Sequence, residues 1–153
     1  MKQKIFYLLL FYCCVLLATG CPPKVDEEGK KNVSGTVTFD GNPVKIGSLQ
    51  FTPIDTKPRE GAIPIGGTAN IKNGKYELKR DLGLYPGTYR IRINAPFFFD
   101  PKTGNEVSEE EARTRPDDFQ GKELIPDKYN TKTTLEITVG EEKNQTHHFE
   151  LTK

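Results

Sequence analysis

Few side chains in this sequence of 153 residues could take part in covalent or metal chemistry. Among its three cysteines, Cys21 stands apart because it follows the small residues Ala18-Thr19-Gly20. His147 and His148 are the only histidines and they are adjacent, so in a β-strand their side chains would point to opposite faces of the sheet. We therefore do not expect them to bind one metal ion together. The sequence contains no Gly-x-Ser-x-Gly motif, and no serine is predicted to be a nucleophile.

The first 20 residues have the layout of a secretory signal. Lys2 and Lys4 make the start positive, an uninterrupted apolar run covers residues 5–17, and small residues follow it. This run is shorter than the roughly 20 apolar residues that a membrane-spanning helix needs, so it is not predicted to be a stable transmembrane anchor. Residues 1–20 are therefore predicted to be a signal peptide that is removed.

The segment Leu17-Ala18-Thr19-Gly20-Cys21 resembles the lipobox of bacterial lipoproteins, in which the cysteine is acylated on sulfur and the signal is cleaved immediately before it. Ala18 stands where that pattern usually has leucine. The resemblance implies that Cys21 is the first mature residue and that two or three acyl chains hold the protein on a membrane of the cell envelope. Pro22 follows where aspartate would be the inner-membrane retention signal, which favours the outer membrane. The alternative is simple secretion with Cys21 as a free thiol.

The mature chain has a nearly balanced charge. Removing residues 1–20 leaves 133 of the 153 residues, with 20 basic and 21 acidic side chains and a formal charge of −1. No electrostatic feature therefore predicts nucleic acid or an anionic membrane surface as a partner. Without Cys13 and Cys14, and with Cys21 acylated, no cysteine is left for a disulfide. Residues 21–32 are polar and are predicted to be a lipidated flexible tether, and residues 33–153 are predicted to form one domain.

Alternation of apolar and polar residues dominates residues 33–153 and predicts short β-strands. The strands are predicted around residues 33–39, 49–51, 68–72, 75–79, 88–95, 135–139 and 147–151. Asn73-Gly74 predicts a type I′ hairpin because both residues tolerate positive φ. Ser108 followed by Glu111 forms a capping-box pattern that predicts a short helix. Seven short strands separated by turns predict an antiparallel β-sandwich.

Five segments resemble the transthyretin-like, carboxypeptidase-regulatory-like domain lipoproteins of bacteria. They are residues 33–37, 40–44, 73–76, 86–91 and 125–130. The resemblance implies an all-β fold, a seven-stranded Greek-key β-sandwich of the prealbumin-like type, usually without established catalysis. Residues 96–124 lie outside these segments and are predicted to be an insertion that carries the short helix.

Three consecutive phenylalanines, Phe97, Phe98 and Phe99, begin this insertion. Connections of such length are uncommon unless they have a function. In one interpretation the insertion folds back over an open end of the sandwich and buries the aromatic rings in a satellite core. In the other, the phenylalanines are an exposed contact patch for an envelope protein or a glycan. The absence of tryptophan weakens the glycan version.

Two hypotheses about function follow. The first is a non-catalytic, lipid-anchored β-sandwich of the cell envelope that binds a partner or has a structural role and uses no cofactor or metal. The second is an envelope enzyme or a metal-dependent binder with its site in residues 97–124, where residues 109–111 and 117–118 are acidic. A deep pocket with converging carboxylates and a strongly perturbed acid would favour the second hypothesis.

Overall fold

A computed structural model describes residues 29–58, 60–61 and 63–153. The predicted signal peptide, Cys21 and most of the predicted tether lie outside these residues. Within them the chain forms strands β1 Asn32–Phe39, β2 Asn42–Pro43, β3 Ile46–Thr56, β4 Gly67–Lys72, β5 Lys75–Leu78, β6 Gly87–Asn94, β7 Pro96–Phe99, β8 Glu106–Val107, β9 Gln120–Glu123, β10 Glu136–Val139 and β11 Asn144–Leu151. One α-helix, α1 Glu109–Thr114, and two 3-10 turns, Arg80–Leu82 and Asp127–Tyr129, complete the described elements.

The main sheet has the strand order β10-β6-β3-β4-β5-β1-β11, and the short β2 pairs with β1. The predicted all-β sandwich is confirmed. One detail differs from the fully antiparallel arrangement, because β1 and β11 are parallel, with Asn32 opposite Asn144 and Phe39 opposite Leu151. A parallel pair needs a long connection, and here nearly the whole domain lies between the two strands.

The inner face of the sheet encloses one hydrophobic core. The predicted alternation is clearest in β6, where Tyr89, Ile91 and Ile93 are fully buried while Arg90 and Arg92 are exposed. Across the curled sheet, the ring of Tyr76 lies 6.3 Å from that of Phe51 and 5.9 Å from that of Phe149, centroid to centroid. The period-two pattern therefore identified the core-facing side of these strands.

Two tight hairpins shape one end of the sandwich. Asn73 and Gly74 have φ angles of 50° and 74°, as a type I′ turn requires, so this prediction is confirmed. Asp40 and Gly41 have φ angles of 48° and 79° and make an equivalent turn between β1 and β2. Both turns use a residue that tolerates positive φ followed by glycine.

The insertion forms a second sheet as well as the predicted helix. This sheet has the order β8-β7-β9, with Phe98 of the central strand opposite Val107 on one side and Gly121 on the other. Helix α1 begins after Ser108, whose Oγ accepts the Glu111 N–H at 3.1 Å. The Glu111 carboxylate accepts a hydrogen bond from Arg115 and leaves the reciprocal half of the capping box unformed.

The insertion and the start of β1 lie at opposite ends of the sandwich. Lys31 pairs with Leu84 just before β1 begins, whereas the insertion follows Asn94, which pairs with Ser48 near the start of β3. The eight residues of β1 cover the distance between the two ends. At roughly 3.3 Å per residue this distance is about 23 Å.

Candidate binding groove

A groove of about 660 Å³ opens between the β1–β2 hairpin and the insertion. Its wall on the main sheet is apolar and is formed by Phe39, Pro43, Val44 and Ile46. Val44 is buried in the core cluster, whereas Ile46 is 47% exposed although it is a large aliphatic residue. This wall therefore presents an exposed aliphatic side chain, Ile46, to an open space.

The insertion supplies the facing wall, which is also apolar. It is formed by Pro96, Phe97, Phe98, Val107 and Leu124. A second, smaller groove of about 370 Å³ shares Phe39, Phe97 and Leu124 with the first. The two grooves therefore lie next to each other and share part of one aromatic and aliphatic wall.

The three phenylalanines lie in strand β7 and alternate between its two sides. The rings of Phe97 and Phe99 stack with centroids 5.9 Å apart, whereas Phe98 packs beside Gly121 of β9, where an added Cβ would lie 3.2 Å from the Phe98 ring. All three side chains are half-buried, and Phe97 and Phe98 line the groove. Their role as a contact patch for a partner stays a prediction.

All four charged residues that line the larger groove are ion-paired. Lys45 Nζ lies 2.9 and 2.7 Å from the two carboxylate oxygens of Glu106, which joins the turn before β3 to β8. Glu109 pairs with Arg113 one turn along α1. Asp40 pairs with Lys153, whose Nζ lies 3.0 Å from Oδ2. The hydrogen bond from Lys153 holds the pKa of Asp40 below its usual value of 3.8.

Glu123 fixes the neck of the insertion, that is, the place where the inserted segment leaves the sandwich and rejoins it. Its Oε1 accepts the backbone N–H of Ala95 at 2.7 Å and that of Ile125 at 3.0 Å. These two amides stand where the chain leaves β6 and where it returns after β9. One carboxylate thus joins the two ends of the inserted segment, and hydrogen bonds to a charged acceptor are stronger than neutral ones.

The histidines do not form a site together. His147 is half-buried on the inner side of β11, and its Nε2 is buried without a hydrogen-bond partner. Burial, with a smaller contribution from His148, lowers the pKa of His147 from its ordinary value of 6.5. His148 is exposed, and its Nδ1 lies 2.8 Å from Thr36 Oγ1.

A further cavity of about 460 Å³ lies among the acidic residues of the insertion. Arg115 pairs there with Glu111 and Asp118 and lies 4.9 Å from the centre of the Phe119 ring. The N–H of Lys102 donates to Asp100 at 2.7 Å and lowers the pKa of that carboxyl group. An enzyme or metal-dependent site in residues 97–124 stays a prediction.

The described part of the chain contains no group of three or more histidine, cysteine, aspartate or glutamate side chains placed to hold a metal ion. Within residues 29–58, 60–61 and 63–153, no helix is both long and apolar enough to cross a membrane.

The sequence alone predicted binding residues on only one wall of the groove. Phe97 and Phe98 were predicted to be part of a contact patch, whereas no binding role was predicted for the facing residues Pro43, Val44 and Ile46. The Lys45–Glu106 pair joins residues 61 positions apart, and no local pattern predicts it. The sequence pattern that could have indicated this wall is the pair of apolar residues, Val44 and Ile46, on either side of Lys45 and soon after the Asp40-Gly41 turn.

The fold and groove define the class of this protein as an all-β sandwich with an apolar groove at one end. No family model matches the chain, and no curated protein matches its sequence. A solved structure of a 9R-lipoxygenase from Cyanothece PCC8801 is similar over 88% of this chain and 18% of that chain, with 12% identity and a TM-score of 0.32. The chain spans less than a fifth of that lipoxygenase, and a likeness at this level carries no argument about activity.

Proposed function

We propose that this protein is a non-catalytic, lipid-anchored binding module of the bacterial cell envelope, with the groove as its binding site. The observation that carries the proposal is the apolar groove between Ile46 on the main sheet and Leu124 on the insertion, both large, aliphatic and more than two-fifths exposed. Apolar side chains of this size facing an open concavity are typical of ligand sites.

The position of the groove suits a molecule that is anchored at its N-terminus. The described chain enters the fold at Lys31, and the groove lies at the other end of β1, about 23 Å away. The ten residues from Cys21 to Lys30 could span at most about 35 Å. An acyl anchor on Cys21 would therefore attach at the end of the sandwich opposite the groove, which would leave the groove open to a ligand from the surrounding compartment.

The groove is held in shape by contacts from both sides. Glu123 fixes the neck of the insertion through the amides of Ala95 and Ile125, and Lys45 is paired with Glu106 at the mouth. A site that is ordered before binding loses less conformational entropy when its ligand arrives. The resemblance of residues 17–21 to a lipobox, and of the domain to transthyretin-like lipoproteins, also supports a binding role in the envelope.

Metabolic labelling tests the anchor. The full chain would be produced in a lipoprotein-processing bacterium that is fed an alkyne analogue of palmitate. We expect label on the wild type in the membrane fraction and none on Cys21→Ser. Cys13→Ser is the matched control, because Cys13 lies in the segment predicted to be removed. Equal labelling of the wild type and Cys21→Ser would contradict the proposal.

A further inference from the structure

We infer that the groove binds an uncharged, elongated, largely hydrocarbon small molecule. This inference rests on the proposed function, because it names the ligand class of the same groove.

The size of the groove matches a small molecule. Its volume of about 660 Å³ falls within the roughly 300–1,000 Å³ typical of small-molecule sites, which are mostly apolar with a few polar groups. A stable protein partner normally covers about 800 Å² on each side, which is far more than a single concavity offers.

The charges around the groove argue against a charged ligand. Lys45 is the cation among its lining residues, and both carboxylate oxygens of Glu106 already contact it. Asp40 and Glu109 are paired with Lys153 and Arg113. An anionic ligand would have to compete with Glu106 for Lys45, and a cationic ligand would have to displace a lysine or arginine. A neutral ligand leaves all three pairs intact.

The uncharged polar groups of the lining are also engaged. Ser108 Oγ accepts the Glu111 N–H, and the Asn42 amide donates to the carbonyl oxygen of Asp40 at 3.2 Å. A ligand rich in hydroxyl groups would leave many of its own polar groups without partners, and each such buried group weakens binding. Apolar contact is therefore the main interaction that the walls offer.

The shape of the site favours an elongated ligand. The smaller groove lies beside the larger one, and Phe39, Phe97 and Leu124 line both. A chain-like or multi-ring molecule could follow this wall from one groove into the other. Each methylene group that it buries there removes apolar surface from water and strengthens binding.

A pair of fluorescent probes tests the ligand class. N-phenyl-1-naphthylamine is neutral and apolar, and 8-anilino-1-naphthalenesulfonate has the same ring skeleton with one negative charge. Both would be titrated into the mature chain, residues 21–153 with Cys21→Ser, which contains every described element. We expect one molecule of the neutral probe to bind per chain, at least about tenfold more tightly than the sulfonate.

The chain offers a closely matched pair of variants. Ile46 and Ile54 both lie in β3 and are 47% and 48% exposed, but only Ile46 lines the groove. Ile46→Asp should weaken binding of the neutral probe at least about tenfold, and Ile54→Asp less than about twofold. Leu124→Asp, on the facing wall, is a second variant in which to measure the affinity for the neutral probe if Ile46→Asp does not fold.

Several results would overturn the inference. They are no saturable binding of the neutral probe, an equal loss in Ile46→Asp and Ile54→Asp, or a sulfonate that binds as tightly as the neutral probe. A wild-type dimer that Ile46→Asp converts to monomer in sedimentation velocity would assign the groove to a second copy of the chain instead. Palmitate labelling tests the anchor separately, so a wrong ligand class and a wrong location are distinguishable.

Discussion

Lys45 and Glu106 connect the two sheets of this protein, with the lysine Nζ 2.9 and 2.7 Å from the two carboxylate oxygens. Both side chains are well exposed, at 70% and 47%. Exposed pairs typically contribute about 0–1 kcal/mol to folding, so this pair matters mainly through its position. It holds β8 beside the turn that precedes β3, at the mouth of the groove.

Breaking this pair should loosen the insertion without unfolding the domain. For Lys45→Met we expect a loss of less than about 1 kcal/mol in the free energy of unfolding, together with faster amide exchange in β8. Hydrogen exchange with mass spectrometry measures the second effect. Arg90→Met is the control, because Arg90 pairs with Glu136 at similar exposure within the main sheet. Unchanged exchange in β8 would show that the pair does not hold the insertion.

Removing the Glu123 carboxylate should cost more than removing an ordinary surface carboxylate. Glu123→Ala leaves the amides of Ala95 and Ile125 without this acceptor, and we expect a loss of about 1–3 kcal/mol. Glu150→Ala, at an exposed position of β11, should change stability by less than about 0.5 kcal/mol. Urea denaturation measures the loss of stability in each variant. Equal losses would show that the Glu123 carboxylate does not hold the two ends of the insertion together.

Gly35 should tolerate no side chain. An added Cβ would lie 1.7 Å from the His147 carbonyl oxygen, and the ring of Tyr76 covers the same position with its hydroxyl donating to that oxygen at 2.9 Å. We expect Gly35→Ala to destabilise the protein by about 3 kcal/mol or more by forcing β1 and β11 apart. Gly140→Ala, where an added Cβ makes only ordinary contacts, should have a small effect. Comparable thermal unfolding of the two variants would refute this reading.

His147 should make folding stability depend on pH below its ordinary pKa. Because burial lowers its pKa in the folded protein, the unfolded chain binds more protons as the pH falls below 6.5. Its contribution to stability is therefore complete above 6.5 and declines below it. Between about pH 7.5 and pH 5.5 we expect His147→Gln to lose less stability than the wild type, measured by urea denaturation.

The exposed His148 is the matched control for this experiment. His148→Gln should keep most of the pH dependence of the wild type, because burial is the larger cause of the lowered pKa of His147 and the charge of His148 the smaller one. If instead only His148→Gln flattens the pH dependence, the assignment to His147 is wrong.

Local patterns predicted the features that depend on neighbouring residues. Tyr89, Ile91 and Ile93 face the core because strand side chains alternate, and Asn73-Gly74 turns the chain because both residues tolerate positive φ. Pro53 has no N–H to donate, and a proline in a strand favours the end or an edge of that strand. Pairing with β4 does stop at Phe51, but β3 continues along β6 to Thr56 with a register shift after Pro53.

Features that depend on distant residues could not be predicted. The parallel pairing of β1 with β11 joins residues 112 positions apart, such as Asn32 and Asn144, and no local pattern encodes its direction. Strand β7 was missed because three consecutive phenylalanines show no alternation, although their side chains alternate in the sheet. The groove lies between residues 39–46 and the insertion, which are far apart in the sequence, so the sequence pointed to one wall and not to a concavity.

Methyl NMR would test the location of the binding site most directly. A mature Cys21→Ser sample with labelled isoleucine, leucine and valine methyl groups would be titrated with N-phenyl-1-naphthylamine. We predict that the largest shifts occur at groove residues, namely Val44, Ile46, Val107 and Leu124. The exposed methyl groups of Ile54, Ile63 and Leu82 should stay unchanged. Largest shifts at these three residues, or no shifts at the groove, would contradict the assignment of the groove as the binding site.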